Sequence, residues 1–252
     1  MQIKPISKLF KRSGRVNCSA VVLASGKSER FGGDKIFAKL SDTPIIIHSL
    51  LAFEACDYIS EIIVVSAADR LMEMAELCQS YGISKISKVI CGGETRLESS
   101  LCGVSEIDPQ ATLVAIHDGA RPLVTKRLIE DVIECAIKHK AAVPAISTMD
   151  TVKVITKGTV EHTPDRDTVY GIQTPQVFIP EIIKGALTNA LLKELTVYDD
   201  ASAVEALKFP VHISRGCEEN MKITRPIDIK FAEIIIKSRE EQVNPLPLQG
   251  VR

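Results

Sequence analysis

The sequence lacks an excess of charge of either sign. Its 31 Lys and Arg residues nearly balance 32 Asp and Glu residues, which gives a formal net charge of −1 at neutral pH. Without a global electrostatic field, neither nucleic acid nor a membrane surface is indicated as a partner. An acidic ligand would therefore have to be held by Lys and Arg side chains that cluster locally in the folded chain.

The seven cysteines lack the spacing of a metal site or a disulfide framework. No two of them form a C-x-x-C pair, and several lie inside apolar runs, such as Cys91 after Val89 and Ile90. An odd number of scattered cysteines is typical of reduced core thiols in a reducing compartment. We therefore expect a cytoplasmic protein without a structural zinc site.

Long apolar runs are also missing. None reaches the length of a membrane-spanning helix, and the basic first seventeen residues contain no apolar signal-peptide core. We expect residues 1–17 to be a disordered basic extension and residues 241–252 to be a loose C-terminal tail. Residues 18–240 have no internal repeat and are predicted to form one domain.

Short β-branched segments alternate with amphipathic segments in this domain. Predicted strands, nearly all apolar, are residues 19–24, 61–66, 88–91, 112–117 and 141–146. Predicted helices are residues 44–56, 68–81, 96–107 and 125–140. This alternation predicts an α/β fold with a mostly parallel twisted sheet and helices on both faces. Right-handed crossovers place the loops that follow the strands at one edge, where such a sheet binds its ligand.

The alternation stops after residue 146. Residues 151–155 and 159–162 predict a β-hairpin that is too polar on one side to join the central sheet. A protruding arm of this kind, at about residues 147–170, often packs on another subunit, so we expect a homodimer. Later segments return to the α/β pattern, with helices at 180–192, 201–207 and 226–239 and a strand at 209–214.

The loop after the first predicted strand has the character of a phosphate site. Its small residues allow close backbone approach, and consecutive N–H groups can cradle phosphate oxygens. A P-loop would need glycine at Val21, and a dinucleotide fingerprint would need glycine at Ser28 and Phe31, so neither motif is present. Gly26 followed by spaced cations nevertheless suits a triphosphate.

Six blocks of sequence carry a resemblance to a known family. They are ASGKSERFGGDK at 24–35, GGETRLES at 92–99, HDGARP at 117–122, DTVK at 150–153, TPDR at 163–166 and NMKITRP at 220–226. In these blocks the chain resembles the 2-C-methyl-D-erythritol 4-phosphate cytidylyltransferases of the non-mevalonate isoprenoid pathway. The resemblance extends from about residue 19 to residue 233 and implies a Rossmann-like nucleotidyltransferase domain that acts on CTP and a sugar-alcohol phosphate.

The resemblance also implies roles for individual residues. Catalytic contacts to the CTP phosphates are implied for Arg30, Lys35 and Lys222. Nucleotide contacts are implied for Ala24, Gly26, Gly93, Ser99 and Asp118. Acceptor contacts are implied for Arg121, Thr151, Arg166 and Thr174, of which the two arm residues would act across the dimer interface. Mg²⁺ is the implied cofactor, held mainly by the CTP phosphates, with Asp118 as a candidate ligand.

These residue types suit the implied reaction on chemical grounds. A phosphate monoester is already an anion near neutral pH, since its second pKa is about 6. No strong general base is therefore needed, and positioned cations together with a metal can stabilise the charge at phosphorus. His117, at the end of a buried strand, is expected to be a hydrogen-bonded core imidazole. Asp199 and Asp200 either begin a helix or help to shape the substrate site.

Two alternatives stay open. A sister enzyme would use ribitol 5-phosphate, but the combination of Asp150-Thr151 and Asp165-Arg166 on the arm with the GARP run at 119–122 favours methylerythritol phosphate. A non-catalytic nucleotide-binding protein could share the fold, but it would have little use for three spaced cations, Arg30, Lys35 and Lys222.

Three positions depart from the family pattern that the resemblance implies. Ser28 replaces a frequent glycine, Glu29 puts an acid beside Arg30, and Ile36 replaces a common glutamine.

Overall fold

The structure is a computed structural model and describes residues 16–26, 28 and 30–243. The predictions for most of the N-terminal extension and for most of the C-terminal tail lie outside these residues. The same holds for the effect of Glu29 on the loop.

The described chain alternates strands and helices, as the sequence predicts. The strands are β1 (Cys18–Ala24), β2 (Lys39–Leu40), β3 (Thr43–Pro44), β4 (Ile59–Ser66), β5 (Ile86–Cys91), β6 (Leu113–Asp118), β7 (Ala141–Ser147), β8 (Val154–Thr156), β9 (Thr159–His162), β10 (Tyr170–Ile172), β11 (Gln176–Phe178) and β12 (His212–Arg215). The helices are α1 (Ile45–Glu54), α2 (Leu71–Ser80), α3 (Arg96–Ser105), α4 (Lys126–His139), α5 (Pro180–Leu192), α6 (Asp200–Ala206) and α7 (Ile227–Val243).

Eight strands form the central sheet. Its order is β10-β7-β11-β6-β1-β4-β5, and β12 also pairs with β7. The pairs of β1 with β4 and β6, of β4 with β5 and of β7 with β12 are parallel, which confirms the predicted mostly parallel sheet. Two strands of this sheet were not predicted, β10 and β11. They run antiparallel to β7, and three residues each are too few to show a pattern. The two-residue strands β2 and β3, which pair with each other outside this sheet, were not predicted either.

Both faces of this sheet are covered by helices. Along β1, Cys18, Ala20 and Val22 belong to the core cluster shared with α1, α2 and α4. The alternate residues Val21 and Leu23 belong to the cluster shared with α3, α5 and α6. Since strand side chains point alternately to opposite faces, one central strand supplies both cores. A third, smaller cluster packs α7 against β2 and the start of α1.

Helix α3 lies unusually close to the sheet. A Cβ atom on Gly103 would stand 2.2 Å from Cγ1 of Val21 and 3.0 Å from Cγ2 of Val65. Only glycine allows this approach, because any side chain would overlap β1 and β4. The close packing holds the last turn of α3 directly against β1 and β4.

The predicted hairpin is present on the arm but is shorter at its first strand. It pairs β8 with β9 around Lys157 and Gly158, which have φ values of +49° and +81°. Two consecutive residues at positive φ are typical of a type I′ turn, which suits the twist of a tight hairpin. Every residue of β8 and β9 is exposed.

Among the described residues, no helix combines the length and apolar character needed to span a bilayer.

Candidate active site

A cavity of about 460 Å³ opens at the carboxyl ends of β1, β4, β5 and β6. This is the edge at which an open α/β sheet binds ligands. The cavity wall includes seven residues to which the sequence assigns a role: Ala24, Gly26, Lys35, Gly93, Ser99, Asp118 and Lys222. Arg30, Arg121, Thr151, Arg166 and Thr174 do not line it.

The loop after β1 places one lysine inside the cavity. Lys35 is partly buried, and burial lowers the pKa of its ammonium group, helped by the positive charge of Lys222. Arg30 begins an exposed turn of the same loop and contributes to this electrostatic effect on Lys35. Ser28 has a φ of +51°, a left-handed conformation that glycine adopts without strain. That conformation suits the glycine that the family resemblance leads us to expect at this position.

A capping box fixes the loop that leads from β5 into α3. Thr95 Oγ1 accepts a hydrogen bond from the backbone N–H of Glu98 at 3.1 Å. Glu98 Oε2 in return accepts from the backbone N–H of Thr95 at 2.8 Å. Reciprocal capping satisfies two backbone donors at the helix start. Gly93, two residues before the cap, is therefore presented to the cavity by a rigid turn.

Two hydroxyl groups meet beside this loop. The Oγ atoms of Ser25 and Ser99 are 2.9 Å apart, within hydrogen-bond distance. A Cβ on Gly92 would stand 2.6 Å from Ser25 Oγ and 2.8 Å from Ser99 Oγ. The backbone at Gly92 therefore passes directly over the two serines. Ser25 and Gly92 received no role from the sequence, although both belong to the blocks that carry the resemblance.

Asp118 lies between two cations at the end of β6. Its Oδ2 accepts from Lys222 Nζ at 2.7 Å, and its Oδ1 accepts from Arg96 Nε at 3.2 Å. Burial would raise the pKa of this carboxyl, but the charges of Arg96 and then Lys222 outweigh burial and hold the pKa well below its ordinary value. Asp118 is therefore a fixed anion on the cavity wall.

Arg96 joins Asp118 to a second carboxylate. Its Nη2 donates to Asp200 Oδ2 at 2.7 Å, and the Asp200 side chain is only 1% exposed. Burial would lower the pKa of the guanidinium, but Asp200 and Asp118 outweigh it and raise that pKa. Sequence reasoning missed Arg96 and left Asp200 undecided. The only local signal was the position of Arg96 directly after the N-cap residue Thr95.

The segment that carries Lys222 is held from both sides. Asn220 is fully buried, and its Nδ2 donates to the backbone oxygen of Thr174 at 2.9 Å. The backbone N–H of Ile223 donates to the oxygen of Ala120 at 2.8 Å. The Asp228 carboxylate accepts from the N–H and hydroxyl groups of Thr224 and from the Arg225 N–H. These contacts fix the backbone from which Lys222 reaches Asp118.

His117 and Thr174 form a buried hydrogen-bond chain behind Asp118. His117 Nε2 lies 3.3 Å from the backbone oxygen of Arg121, which can only accept, so Nε2 carries the proton. Nδ1 then accepts from Thr174 Oγ1 at 3.0 Å, and that oxygen accepts from the Asp118 N–H at 3.1 Å. His117 is thus a core imidazole, as expected. The hydroxyl of Thr174 serves the protein interior, and its contact with the acceptor stays a prediction.

The buried neutral imidazole of His117 predicts loss of stability in acid. Burial lowers the pKa of His117 from 6.5 to about 3. The neutral imidazole therefore contributes fully to the free energy of unfolding above pH 6.5, the pKa in the unfolded state, and this contribution is lost as the pH falls below that value. Between about pH 7 and pH 5, we expect wild type to lose about 2 kcal/mol more unfolding free energy than His117→Gln. Urea unfolding at both pH values measures this. Equal losses in the two proteins would contradict the assignment.

The remaining predicted residues lie outside the cavity wall. Arg121 Nη1 donates to the backbone oxygen of Asn220 at 2.7 Å, so Arg121 braces the Lys222 segment. Arg166 Nη2 lies 3.5 Å from Thr151 Oγ1 on the exposed arm. The structure therefore brings the two arm residues together and leaves them apart from the cavity lining of their own subunit.

The donor set of the cavity fits a magnesium ion held partly by substrate. The described residues contain no group of three or more His, Cys, Asp and Glu side chains that could hold a metal alone. Mg²⁺ commonly takes one or two carboxylates and completes its shell with substrate phosphates and water. Asp118 is an ionised carboxylate on the wall of this cavity, so it could serve as the one protein ligand that such an arrangement requires.

The fold and the cavity define the class of the protein. The mostly parallel sheet carries a glycine-bearing loop and spaced lysines at its carboxyl edge, where an open α/β sheet binds ligands. Its match to solved cytidylyltransferase structures makes it a nucleotidyltransferase-like α/β domain. The family model for 2-C-methyl-D-erythritol 4-phosphate cytidylyltransferase (IspD) matches residues 18–238. The chain belongs to this family, as its six sequence blocks predict.

Individual relatives agree with this membership. The protein of that name from Alkaliphilus oremlandii is 38% identical over 227 residues, which cover 88% of this chain and 96% of the relative. The one from Dehalococcoides mccartyi (strain ATCC BAA-2266) is 41% identical over 220 residues, covering 86% and 95%. The crystal structure of 4-diphosphocytidyl-2C-methyl-D-erythritol synthase from Anaerococcus prevotii is 31% identical, with a TM-score of 0.80 and coverage of 89% and 100%.

Proposed function

We propose that this chain transfers the CMP group of CTP to 2-C-methyl-D-erythritol 4-phosphate, giving 4-diphosphocytidyl-2-C-methyl-D-erythritol and pyrophosphate. The observation that carries the proposal is the cavity itself, where Lys35 and Lys222 face the ionised Asp118 at the carboxyl edge of the sheet. The relatives that match nearly the whole chain carry the name of this activity.

The chemistry requires two anions to be brought together. An oxygen of the acceptor phosphate forms a bond to the α-phosphorus of CTP, and the bond from that phosphorus to the bridging oxygen of pyrophosphate breaks. Phosphoryl transfer of this kind depends on positioning and electrostatics more than on covalent catalysis. Lys35, Lys222 and Arg30 are the cations that we assign to the phosphates, with Lys as a mobile point charge and Arg as a forked donor.

The remaining contacts divide between the two substrates. We assign the nucleotide to Ala24, Gly26, Gly93, Ser99 and Asp118. Small residues in this wall leave room for a base and ribose to lie against the backbone. We assign the acceptor to Arg121, Thr151, Arg166 and Thr174. His117 takes no part as a base, because both of its ring nitrogens are engaged and it is buried.

We further propose Mg²⁺ as the cofactor, held by Asp118 and by the CTP phosphates. When bound, it would neutralise charge on the triphosphate and so favour departure of pyrophosphate. Lys222 and Arg96 keep Asp118 ionised at neutral pH and hold its two oxygens in place. The seven free cysteines support a cytoplasmic location, which we propose as well.

A homodimer is proposed because the arm exposes apolar side chains. Those on or beside the arm, at residues 147–172, that are at least one third exposed are Met149, Val152, Val154, Ile155, Val160, Tyr170 and Ile172. Exposed apolar groups on one protruding element are typical of a protein contact site. In such a dimer, Thr151 and Arg166 would complete the acceptor site of the partner subunit.

Subunit mixing tests this shared site. Lys35→Ala inactivates the cavity of its own subunit. Arg166→Ala instead inactivates the arm that would complete the acceptor site of the partner subunit. In random mixing, half of the dimers are hybrids, and each hybrid keeps one intact site, so activity should return to about a quarter of wild type. Mixing Lys35→Ala with Lys222→Ala, which both affect the core, should restore nothing. Equal activity of the two mixtures, with hybrids verified by mass spectrometry, would contradict an arm acting in trans.

Pyrophosphate release tests the proposed reaction. The full chain is given CTP and Mg²⁺ with methylerythritol 4-phosphate, with ribitol 5-phosphate, or with neither, and each reaction is repeated with EDTA. We expect rapid release with methylerythritol 4-phosphate alone and none after chelation. Release with only ribitol 5-phosphate would overturn the acceptor. Silence with both acceptors, from folded protein that binds CTP, would overturn catalysis.

A further inference from the structure

A chain of charged contacts connects the cavity to the start of α6. It runs from Lys222 to Asp118, from Asp118 to Arg96 and from Arg96 to Asp200. The first three members line the cavity, whereas Asp200 does not. Asp200 is therefore the member that acts on the site only through another residue.

Arg96 is held by two carboxylates through different nitrogens. Nε donates to Asp118 at 3.2 Å and Nη2 donates to Asp200 at 2.7 Å. Because the guanidinium group is rigid and planar, two such contacts fix its orientation as well as its position. Asp118 alone would leave Arg96 free to turn towards the cavity and the phosphates of a bound nucleotide.

Asp200 is itself rigidly anchored. It begins α6 directly after Asp199, whose carboxylate caps the helix by accepting from the Ser202 N–H at 2.9 Å. Gln176 of β11 joins this turn to the sheet, because its Nε2 donates to Asp199 at 2.7 Å and its Oε1 accepts from the Ala201 N–H at 2.9 Å. The anchor for Arg96 is thus part of the central fold.

The state of the Asp200 side chain points to a purpose beyond packing. It is 1% exposed, and its Oδ1 has no hydrogen-bond partner. A buried carboxylate with one free oxygen is costly, since both burial and the missing contact disfavour it. The ion pair with Arg96 is the strong interaction of this carboxylate. The unfavourable burial of Asp200 therefore occurs at a position where its charge orients a residue of the cavity wall.

We infer that Asp200 is a positioning residue for the cytidylyl transfer: it holds the Arg96 guanidinium against Asp118, and so keeps Asp118 in the orientation that the reaction uses. The inference rests on the proposed function. Asp200 orients residues at the reacting phosphates, so loss of its carboxylate should affect turnover more than substrate binding.

Steady-state kinetics of Asp200→Asn test the inference. The substitution keeps the size of the side chain and removes its charge. We expect kcat to fall about tenfold or more, with KM for CTP and for the acceptor within about threefold of wild type. Glu205→Gln is the matched control, because it removes the charge of an exposed carboxylate on the same helix without touching Arg96, and its kcat should stay within about threefold of wild type.

A double-mutant cycle shows whether Asp200 acts through Arg96. Added to Arg96→Ala, the Asp200→Asn change should alter kcat less than about twofold, because the link is already lost. The same addition should raise the melting temperature, since it removes a buried charge that has lost its partner. An undiminished tenfold loss in the Arg96→Ala background would overturn the inference.

Arg96→Lys gives an independent test if Asp200→Asn does not fold. It keeps the positive charge but cannot hold both carboxylates with a planar fork. We expect a loss of kcat with little change in either KM, whereas a role in charge neutralisation alone would leave kcat intact. A wild-type kcat in both Asp200→Asn and Arg96→Lys would overturn the inference and leave the proposed cytidylyl transfer in place. Absence of cytidylyl transfer by the wild-type protein would instead overturn the proposed function.

Discussion

Replacing Lys222 with Ala is expected to reduce kcat by about 10²–10³-fold, the usual cost of removing one group that stabilises transition-state charge. Lys222 lines the cavity, and its ammonium group lies 2.7 Å from Asp118 Oδ2. The segment around it is fixed by the buried Asn220 and by Asp228, so the Lys222 ammonium group is held at the cavity wall. Single-turnover kinetics with CTP and acceptor measure the loss directly.

The matched control for this prediction is Lys237→Ala. Lys237 is an exposed lysine of α7, and its loss should leave both kcat and stability near wild type. The Lys222→Ala protein should keep its fold, because Arg96 still pairs with Asp118. A kcat within about threefold of wild type in folded Lys222→Ala protein would remove Lys222 from the catalytic group that we propose.

Gly92→Ala is expected to raise KM for CTP by about tenfold to a hundredfold, since an ångström of misplacement in a site can cost that much. The new Cβ would stand 2.7 Å from Ser25 Cβ and 2.8 Å from Ser99 Oγ. Serine side chains are short, so the contact can be relieved only by moving the backbone of one loop. The loops after β1 and β5 both line the cavity, and their separation would widen it.

Gly185→Ala is the control for the second prediction. A Cβ at Gly185, in α5, meets nothing within 4 Å, so alanine should be accepted and should stabilise the helix by up to about 1 kcal/mol. Isothermal titration with CTP and a thermal melt separate binding from stability. Unchanged CTP affinity in Gly92→Ala would mean that the two serines do not border the nucleotide.

Much of the fold follows from local sequence patterns. The apolar runs that predict β1, β4, β6 and β7 are strands buried on both faces, and such runs carry their own signal. The run that predicts β5 is instead the edge strand of the sheet, and its residues are exposed or half-buried. The two missed strands, β10 and β11, have three residues each, and their place in the sheet depends on pairing with β7. Non-local pairing of this kind leaves no trace in a single short segment.

The site divides in the same way. Lys35, Asp118 and Lys222 belong to blocks with a recognisable pattern, and the structure brings all three to one cavity. The pairing of Arg96 with Asp200 joins residues 104 positions apart, and the block that contains Arg96 gives no sign of Asp200 as its partner. Such contacts are set by how α3 and α6 pack against the sheet, so only the structure reveals them.

The most direct test of the central claim is ³¹P NMR of a complete reaction with CTP, Mg²⁺ and methylerythritol 4-phosphate. We predict that the monoester signal of the acceptor disappears together with the three signals of CTP. Two coupled signals from a new P–O–P linkage and the single signal of pyrophosphate should replace them in equal molar amounts. Consumption of CTP with an unchanged acceptor signal, or formation of CDP and inorganic phosphate, would contradict cytidylyl transfer by this chain.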